Sequence, residues 1–196
     1  MSSEPEADPR TDRIIEVAMQ LAEQNGYDAV RLRDLASLAD VALGTVYRRF
    51  SSKEDILAAA LAKMVGHFYE AVTVAPVPGD TPHERVAVFL ELATQFLSER
   101  PKLAAALLRA VASGDKDIAT RVTSYKDTMT SLLVLVLRGQ LTDVPPTPNE
   151  LLAARLVQNL WFAEMVGWTG GLHSPEQAMD HVHEATALLL GALELP

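Results

Sequence analysis

The sequence contains no cysteine, and this absence excludes several kinds of site. Disulfide bridges, thiolate zinc sites and cysteine nucleophiles all need a thiol. Long apolar runs are also missing, since stretches such as 132–137 fall far short of the roughly 20 residues that span a membrane. The polar, acidic start of the chain lacks the features of a signal peptide. We therefore expect a cytoplasmic protein with no membrane partner.

Positive charge is in the minority. The chain has 17 Lys and Arg residues against 26 Asp and Glu residues, a formal net charge of −9. An acidic protein does not coat nucleic acid non-specifically, so any contact with DNA must be confined to a patch. Hydrophobic residues make up 48% of the chain, which is ample for a packed core and excludes disorder as its overall state.

Signals for β-strands are missing as well, because no alternating β-branched runs are joined by Asn-Gly turns. Apolar residues instead recur at helical spacing nearly throughout, which predicts an all-α fold of nine helices. The expected helices cover about 9–25, 32–39, 43–49, 53–74, 83–100, 101–112, 116–139, 149–169 and 175–193.

Residues 31–53, RLRDLASLADVALGTVYRRFSSK, are locally basic on this acidic chain. They carry five basic residues against two acidic ones, so one small face is suited to a polyanion. The segment also has the pattern of two short helices broken by a tight turn. This is the helix-turn-helix pattern, whose second helix lies in the DNA major groove.

The chemistry around the second of these helices suits a DNA backbone. Thr45 and Tyr47 offer hydroxyl donors, and Lys53 lies with backbone amides at a helix start, an arrangement that binds anions. Gly44 removes a side chain where the helix and the DNA backbone approach closely.

Base edges are usually met at the start of a recognition helix, where Ala42 and Leu43 suit thymine methyl groups. A bidentate contact with guanine would need Arg33, Arg48 or Arg49. Charge and periodicity alone fit a solvated basic face on a purely structural helix pair equally well.

Specific residues from Gly26 to Leu57 favour the DNA interpretation. They are Gly26-Tyr27, Arg33-Asp34-Leu35-Ala36, Ala39, Val41, Gly44-Thr45-Val46-Tyr47, Phe50, Ser52-Lys53-Glu54 and Leu57. This series resembles the TetR family of bacterial transcriptional regulators. The resemblance implies phosphate contacts from Thr45, Tyr47 and Lys53. The full predicted DNA-contact set is Arg31, Arg33, Ala42, Leu43, Gly44, Thr45, Tyr47, Arg48, Arg49 and Lys53.

Three positions depart from the family pattern. Relatives often have Thr at the start of the second helix, where this chain has Arg31. Relatives have Gly-Val-Ser in the turn, where this chain has Asp40-Val41-Ala42. Loss of the serine removes a helix cap worth roughly 1 kcal/mol. We therefore expect the motif to survive while the operator sequence differs from those of relatives.

The resemblance also implies a division of the chain. We expect a disordered tail at 1–8, a DNA-binding domain at 9–52 and a ligand-binding and dimerisation domain at 53–196. More narrowly, stretches such as ADVALGTVYRRFSSK and ARLVQNLWFAEMVGW are similar to a subgroup of actinobacterial regulators of sterol and lipid catabolism. That similarity implies an acyl-CoA or steroid effector, and a fatty acid fits the same apolar residues.

Aromatic, methionine and leucine side chains of the body suit the lining of an apolar effector pocket. The predicted set is Met64, Phe68, Phe89, Phe96, Leu107, Leu108, Arg109, Tyr125, Met129, Leu133, Trp161 and Met165. Its apolar members fit an ordinary core equally well. Arg109 stands on an otherwise apolar helix, where it either pairs with a ligand carboxylate or phosphate or extends its stem over the surface.

The last two helices predict a homodimer in which a helix pair from each chain forms a four-helix bundle. The predicted interface is Leu152, Arg155, Leu156, Asn159, His181, Val182, Ala185, Leu188 and Leu189.

No metal or cofactor is expected. His181 and His183 lie two apart and face different sides of a helix, and the other histidines, including His173, are isolated in the sequence. A Ser-His-Asp set, an HExxH motif and a phosphate loop are all missing, so the sequence does not indicate an enzyme.

Together these features favour a homodimeric repressor that leaves its operator DNA when a small hydrophobic effector binds. Two alternatives stay open. One is a helical lipid or ligand carrier with an incidental helix-turn-helix, and the other is an interaction module that has lost its affinity for DNA.

Overall fold

The computed structural model describes residues 8–192. Within that range the chain forms nine α-helices, two short 3-10 helices and no strand, which confirms the predicted all-α fold. The α-helices are α1 Pro9–Asn25, α2 Leu32–Leu38, α3 Leu43–Arg49, α4 Lys53–Val74, α5 Pro82–Ser98, α6 Pro101–Ala112, α7 Ala119–Arg138, α8 Pro148–Thr169 and α9 Pro175–Ala192. The predicted tail, apart from Asp8, and the predicted helix end at residue 193 lie outside the described residues.

Local signals set the first helix ends. Asp8 caps α1 by accepting a hydrogen bond from the Arg10 backbone N–H at 2.9 Å. Gly26 ends the helix with φ at 81°, a conformation that suits glycine.

The predicted start of α7 at residue 116 was three residues early, because Lys116–Ile118 forms a 3-10 turn capped by Asp115.

The first of two compact units comprises residues 8–61 and 102–122. It therefore holds α1–α3, the beginning of α4 and nearly all of α6. Polar contacts tie its two stretches together. Lys102 Nζ donates to the backbone oxygen of Gln24 at 2.8 Å, and Arg121 pairs with the buried carboxylate of Asp55. Its largest fully buried side chains are Ile14, Leu35, Phe50, Ile56, Leu57, Leu103, Leu107 and Ile118.

The second unit comprises residues 62–101 and 123–192 and includes α5, α8 and α9. Some of the polar groups inside it bond to one another. Trp161 Nε1 donates to Thr94 Oγ1 at 2.9 Å, and the Thr94 hydroxyl donates to the Met179 sulfur at 3.0 Å. No helix within the described range is long and apolar enough to cross a membrane. The fully buried apolar side chains of the second unit include Leu90, Leu132, Leu133 and Met165.

A buried ion pair holds the connection from α7 to α8. Arg138 Nε and Nη2 donate to the two carboxylate oxygens of Glu150 at 2.5 and 2.8 Å, and Glu150 is only 2% exposed. Glu150 also completes a capping box with Thr147 at the start of α8. The hydrogen bond from Arg138, helped by those from Thr147 and opposed by burial, lowers the pKa of Glu150 to about 2.

We expect Glu150→Gln to lower the free energy of unfolding by on the order of 3 kcal/mol, because Arg138 loses its buried counter-charge. The matched control is Glu84→Gln, which alters the exposed capping box of α5 and should cost less than about 1 kcal/mol. Urea unfolding at neutral pH measures both. Equal losses would show that the cap, and not the ion pair, stabilises the connection.

The same pair should make stability depend on pH. The folded-state pKa of Glu150 lies below its ordinary value of 4.5, so the stabilisation is present above that value and is lost as the pH falls toward about 2. Unfolding free energies of the wild type and Glu150→Gln should therefore converge across this window. A difference that stays constant from about pH 7 to about pH 3 would contradict this assignment.

Candidate nucleic-acid interface and apolar cavity

The turn between α2 and α3 has left-handed backbone at Asp40, whose φ is 54°. This is the position where the family pattern has glycine. Aspartate accepts the conformation more readily than most residues, because its short side chain bonds to the local backbone. The Val41 N–H donates to the Ala36 oxygen at 3.0 Å and closes the turn. The turn is therefore tight although the glycine is missing.

Both helices of the motif begin without a side-chain cap. Ala42 precedes α3 and Arg31 precedes α2, and neither makes a capping hydrogen bond. The cap that α3 was expected to lose with its serine is indeed absent. The substitutions affect the helix ends, and the helices themselves remain intact.

The outward face of α3 carries Gly44, Tyr47 and Arg48, which are all exposed. Tyr47 is 58% exposed, a large fraction for an aromatic side chain. A Cβ added to Gly44 would meet no described atom within 4 Å beyond its own helix backbone and chain neighbours, so internal packing does not require glycine there. Thr45 is buried, and its Oγ1 accepts a hydrogen bond from Arg48 at 3.2 Å. Tyr47 and Arg48 thus present the polar groups on this face.

Arg49 is tied to the start of α1. Its Nη1 donates to the Thr11 hydroxyl at 2.7 Å, and its guanidinium pairs with Asp8. Arg49 remains exposed. A contact between Arg49 and DNA would therefore compete with these two partners.

Lys53 is held by Tyr27. Its Nζ lies 3.7 Å from the Tyr27 ring centroid and 3.7 Å from the carboxylate of Asp28. The guanidinium of Arg109 lies 4.0 Å from the same ring centroid, and the Tyr27 hydroxyl donates to Glu54. Burial and this hydrogen bond raise the pKa of Tyr27 to about 12. Lys53 and Arg109 therefore both have structural partners inside the first unit.

The ten predicted DNA-contact residues all belong to the first unit, where the structure gives them three degrees of burial. Thr45 is buried, and Leu43 and Lys53 are half-buried. Their contacts with DNA stay a prediction. The exposed members are Arg31, Arg33, Ala42, Gly44, Tyr47, Arg48 and Arg49.

An apolar cavity of about 260 Å³ lies in the second unit. Three of its lining residues, Met64, Phe68 and Phe96, belong to the predicted effector set. The Phe68 ring packs edge-on against Phe96, with centroids 5.8 Å apart. His67 and Ala71 also line the cavity and were missed in the sequence, although their spacing on α4 matches that of Met64 and Phe68.

The other members of the predicted effector set lie elsewhere. Leu107, Leu108 and Arg109 belong to the first unit, where Arg109 extends over Tyr27. The remaining six are buried in the second unit, with burial raising the pKa of Tyr125 to about 12. These six, which do not line the cavity of about 260 Å³, are Phe89, Tyr125, Met129, Leu133, Trp161 and Met165.

Several predicted dimer residues are exposed apolar side chains. Leu152 is 46% exposed, Leu156 is 40% exposed and Leu188 is 78% exposed. Val182 is different, because it is completely buried within its own chain and offers no surface to a partner. It is a core residue of the second unit. Arg155, Asn159 and His181 are exposed, and Ala185 and Leu189 are half-buried.

His173 is isolated in the sequence but not in the structure. Ligand atoms of His173, His181 and Glu164 all lie within 4.8 Å of one another in the second unit. The turn after α8 brings His173 back to the helix end, which the spacing of histidines along the sequence does not reveal.

Two family models match the chain. Residues 14–60 match the model described as bacterial regulatory proteins, tetR family. Residues 79–189 match the model described as Tetracyclin repressor-like, C-terminal domain. The first match covers the helix-turn-helix, and the second covers more than half of the chain.

Individual similar proteins indicate the same family as the two family models. The HTH-type transcriptional repressor KstR of Rhodococcus jostii (strain RHA1) is 32% identical over 182 residues, which cover 93% of this chain and 83% of the relative. The crystal structure of a TetR transcriptional regulator from Rhodococcus sp. RHA1 superposes with a TM-score of 0.84 at 25% identity, covering 94% of this chain and 97% of the other. Thermus thermophilus FadR, a repressor solved in complex with lauroyl-CoA, shares the fold with a TM-score of 0.70 at 18% identity, covering 95% and 96%. These matches, with both family models, show that the chain belongs to the TetR family of bacterial regulatory proteins.

Proposed function

We propose that this protein is a homodimeric repressor that binds operator DNA and is released from it by a hydrophobic small molecule. The outward face of α3 is the observation that best supports DNA binding. Open space beside Gly44 adjoins an exposed phenol at Tyr47 and an exposed guanidinium at Arg48. A recognition helix needs such a face to enter the major groove.

The basic residues at the edge of the motif support contact with phosphates. Arg31 and Arg33 are exposed at the start of α2, and both add positive charge to the unit that holds α3. Such contacts fix the position of a protein on DNA and make its affinity depend on salt. Lys53 holds the Tyr27 ring, so we assign it a role in positioning Tyr27 rather than a direct contact with phosphate.

The apolar cavity supports a hydrophobic effector. Its lining is almost entirely apolar, with His67 as a polar group at one side. A cavity of about 260 Å³ lies just below the range of roughly 300–1,000 Å³ typical of sites for drug-sized ligands. Because a repressor of the same fold is solved with lauroyl-CoA, we propose that an acyl-CoA is the effector and that its acyl chain enters this cavity.

Exposed leucines support the dimer. On α8, Leu152 and Leu156 lie one turn apart with Asn159 on the same stripe, and Leu188 is exposed on α9. Large apolar side chains exposed in this way are suited to an interface. We propose a two-fold dimer through these helices, working in the cytoplasm as a regulator without catalytic activity.

We expect Arg48→Ala to weaken DNA binding and to lower the slope of log affinity against log salt by about 1, because one phosphate contact is lost. Fluorescence anisotropy on a labelled duplex from the region upstream of the gene measures both quantities. The matched control is Lys126→Ala, which removes the same charge from an exposed site in the second unit. Equal effects of the two variants would identify a general charge effect and would contradict a contact at α3.

We expect lauroyl-CoA to lower the affinity for the duplex and DNA to lower the affinity for lauroyl-CoA by the same factor. Ala71→Trp should abolish this response, because the indole fills the cavity from an exposed lining position. The matched control is Val74→Trp, one turn further along α4, where the side chain is 87% exposed and does not line the cavity. A response that persists in Ala71→Trp, or that coenzyme A alone produces, would contradict the assignment.

A further inference from the structure

Two imidazoles converge on one carboxylate where α8 meets α9. His173 Nε2 lies 3.3 Å from Glu164 Oε2, and His181 Nδ1 lies 3.1 Å from the same oxygen. The two imidazole rings are 5.8 Å apart between centroids and nearly perpendicular, at 79°. Glu164 belongs to α8, His181 to α9 and His173 to the turn between them, so one acidic side chain joins three consecutive parts of the chain.

The spacing of the three groups matches a metal site. A tetrahedral zinc ion with ligands at about 2.0–2.1 Å separates its ligand atoms by about 3.3 Å. The two nitrogen-to-oxygen distances of 3.1 and 3.3 Å already have this value. The two nitrogens lie within 4.8 Å of each other, and a bound ion would draw them to the tetrahedral separation.

The backbone makes room for His173 in this position. A Cβ added to Gly167 would lie 2.5 Å from His173 Cε1, so any other residue at 167 would displace the ring. Gly167 is buried within α8, where glycine weakens a helix. His173 Nε2 also lies 2.9 Å from the backbone oxygen of Glu164, which orients the ring toward the helix end.

We propose that Glu164, His173 and His181 form a binding site for a divalent transition-metal ion, with Zn²⁺ as the probe. Two imidazole nitrogens and a carboxylate oxygen form a donor set that such ions accept, and a water molecule completes the fourth position. The ion would replace the contact of His173 with the Glu164 backbone oxygen, and the imidazoles bind it in their neutral form. Bound metal would clamp the end of α8 to α9.

Binding can be tested directly on tag-free, full-length protein treated with a chelator. Isothermal titration should show one Zn²⁺ per chain, and Co²⁺ should give the visible absorption of a tetrahedral site. At a 100-fold excess over Kd, Zn²⁺ should raise Tm by on the order of 5 °C. His181→Gln should weaken binding by more than the roughly 10- to 100-fold that follows loss of a residue that only orients a ligand.

The matched control is His183→Gln. His183 lies on the same helix and its Nε2 is 3.3 Å from a carboxylate oxygen of Glu91, but this pair has no third ligand among the described residues. Zinc affinity should survive in this variant and be lost in His181→Gln and in Glu164→Gln. His181 is exposed, so its replacement should leave the fold intact, which circular dichroism checks.

Three results would overturn the proposal. The first is no saturable binding of Zn²⁺ or Co²⁺ to the wild type. The second is an equal loss of affinity in His181→Gln and His183→Gln, which would indicate scattered surface histidines. The third is a stoichiometry of one ion per two chains, which would require ligands from both copies.

Discussion

The ring of Tyr27 holds two cations, one from α4 and one from α6, and this contact joins separate stretches of the first unit. Lys53 at the start of α4 and Arg109 on α6 lie 3.7 and 4.0 Å from the ring centroid, and the hydroxyl is bound to Glu54. Cation–π contacts of this kind are worth about 0.5–2 kcal/mol each. Because Tyr27 lies just before α2, these contacts join α6 to the helix-turn-helix in a single unit.

Local sequence signals determine much of the architecture, so that part could be predicted. Proline and glycine set helix ends, as Gly26 does after α1, and Thr147 with Glu150 signals the start of α8. The motif around α3 and the loss of its serine cap at Ala42 were equally local. Part of the apolar cavity was predicted from side-chain type, and helical spacing on α4 would have added His67 and Ala71, because residues three or four apart share a face.

The remainder depends on contacts between residues far apart in the chain. The apolar neighbours of Arg109 suggested a ligand contact, but its partner is Tyr27, which periodicity does not link to α6. Lys53 was predicted as a phosphate anchor from its place at a helix start, and its contact with the Tyr27 ring is likewise one that the sequence pattern does not indicate. His173 became a partner of Glu164 only because the turn after α8 reverses the chain. Sequence patterns predict which face of a helix is apolar and where the helix ends, whereas tertiary packing decides these pairings.

We infer that α6 and the helix-turn-helix form one cooperative unit. Native-state hydrogen exchange tests it, because amides in one unit lose protection together. In Tyr27→Leu, amides of α2, α3 and α6 should all lose protection by a similar factor, while amides of α5 and α8 keep theirs. Unchanged protection of α6 alongside weakened protection of α2 and α3 would show that α6 unfolds separately from the helix-turn-helix.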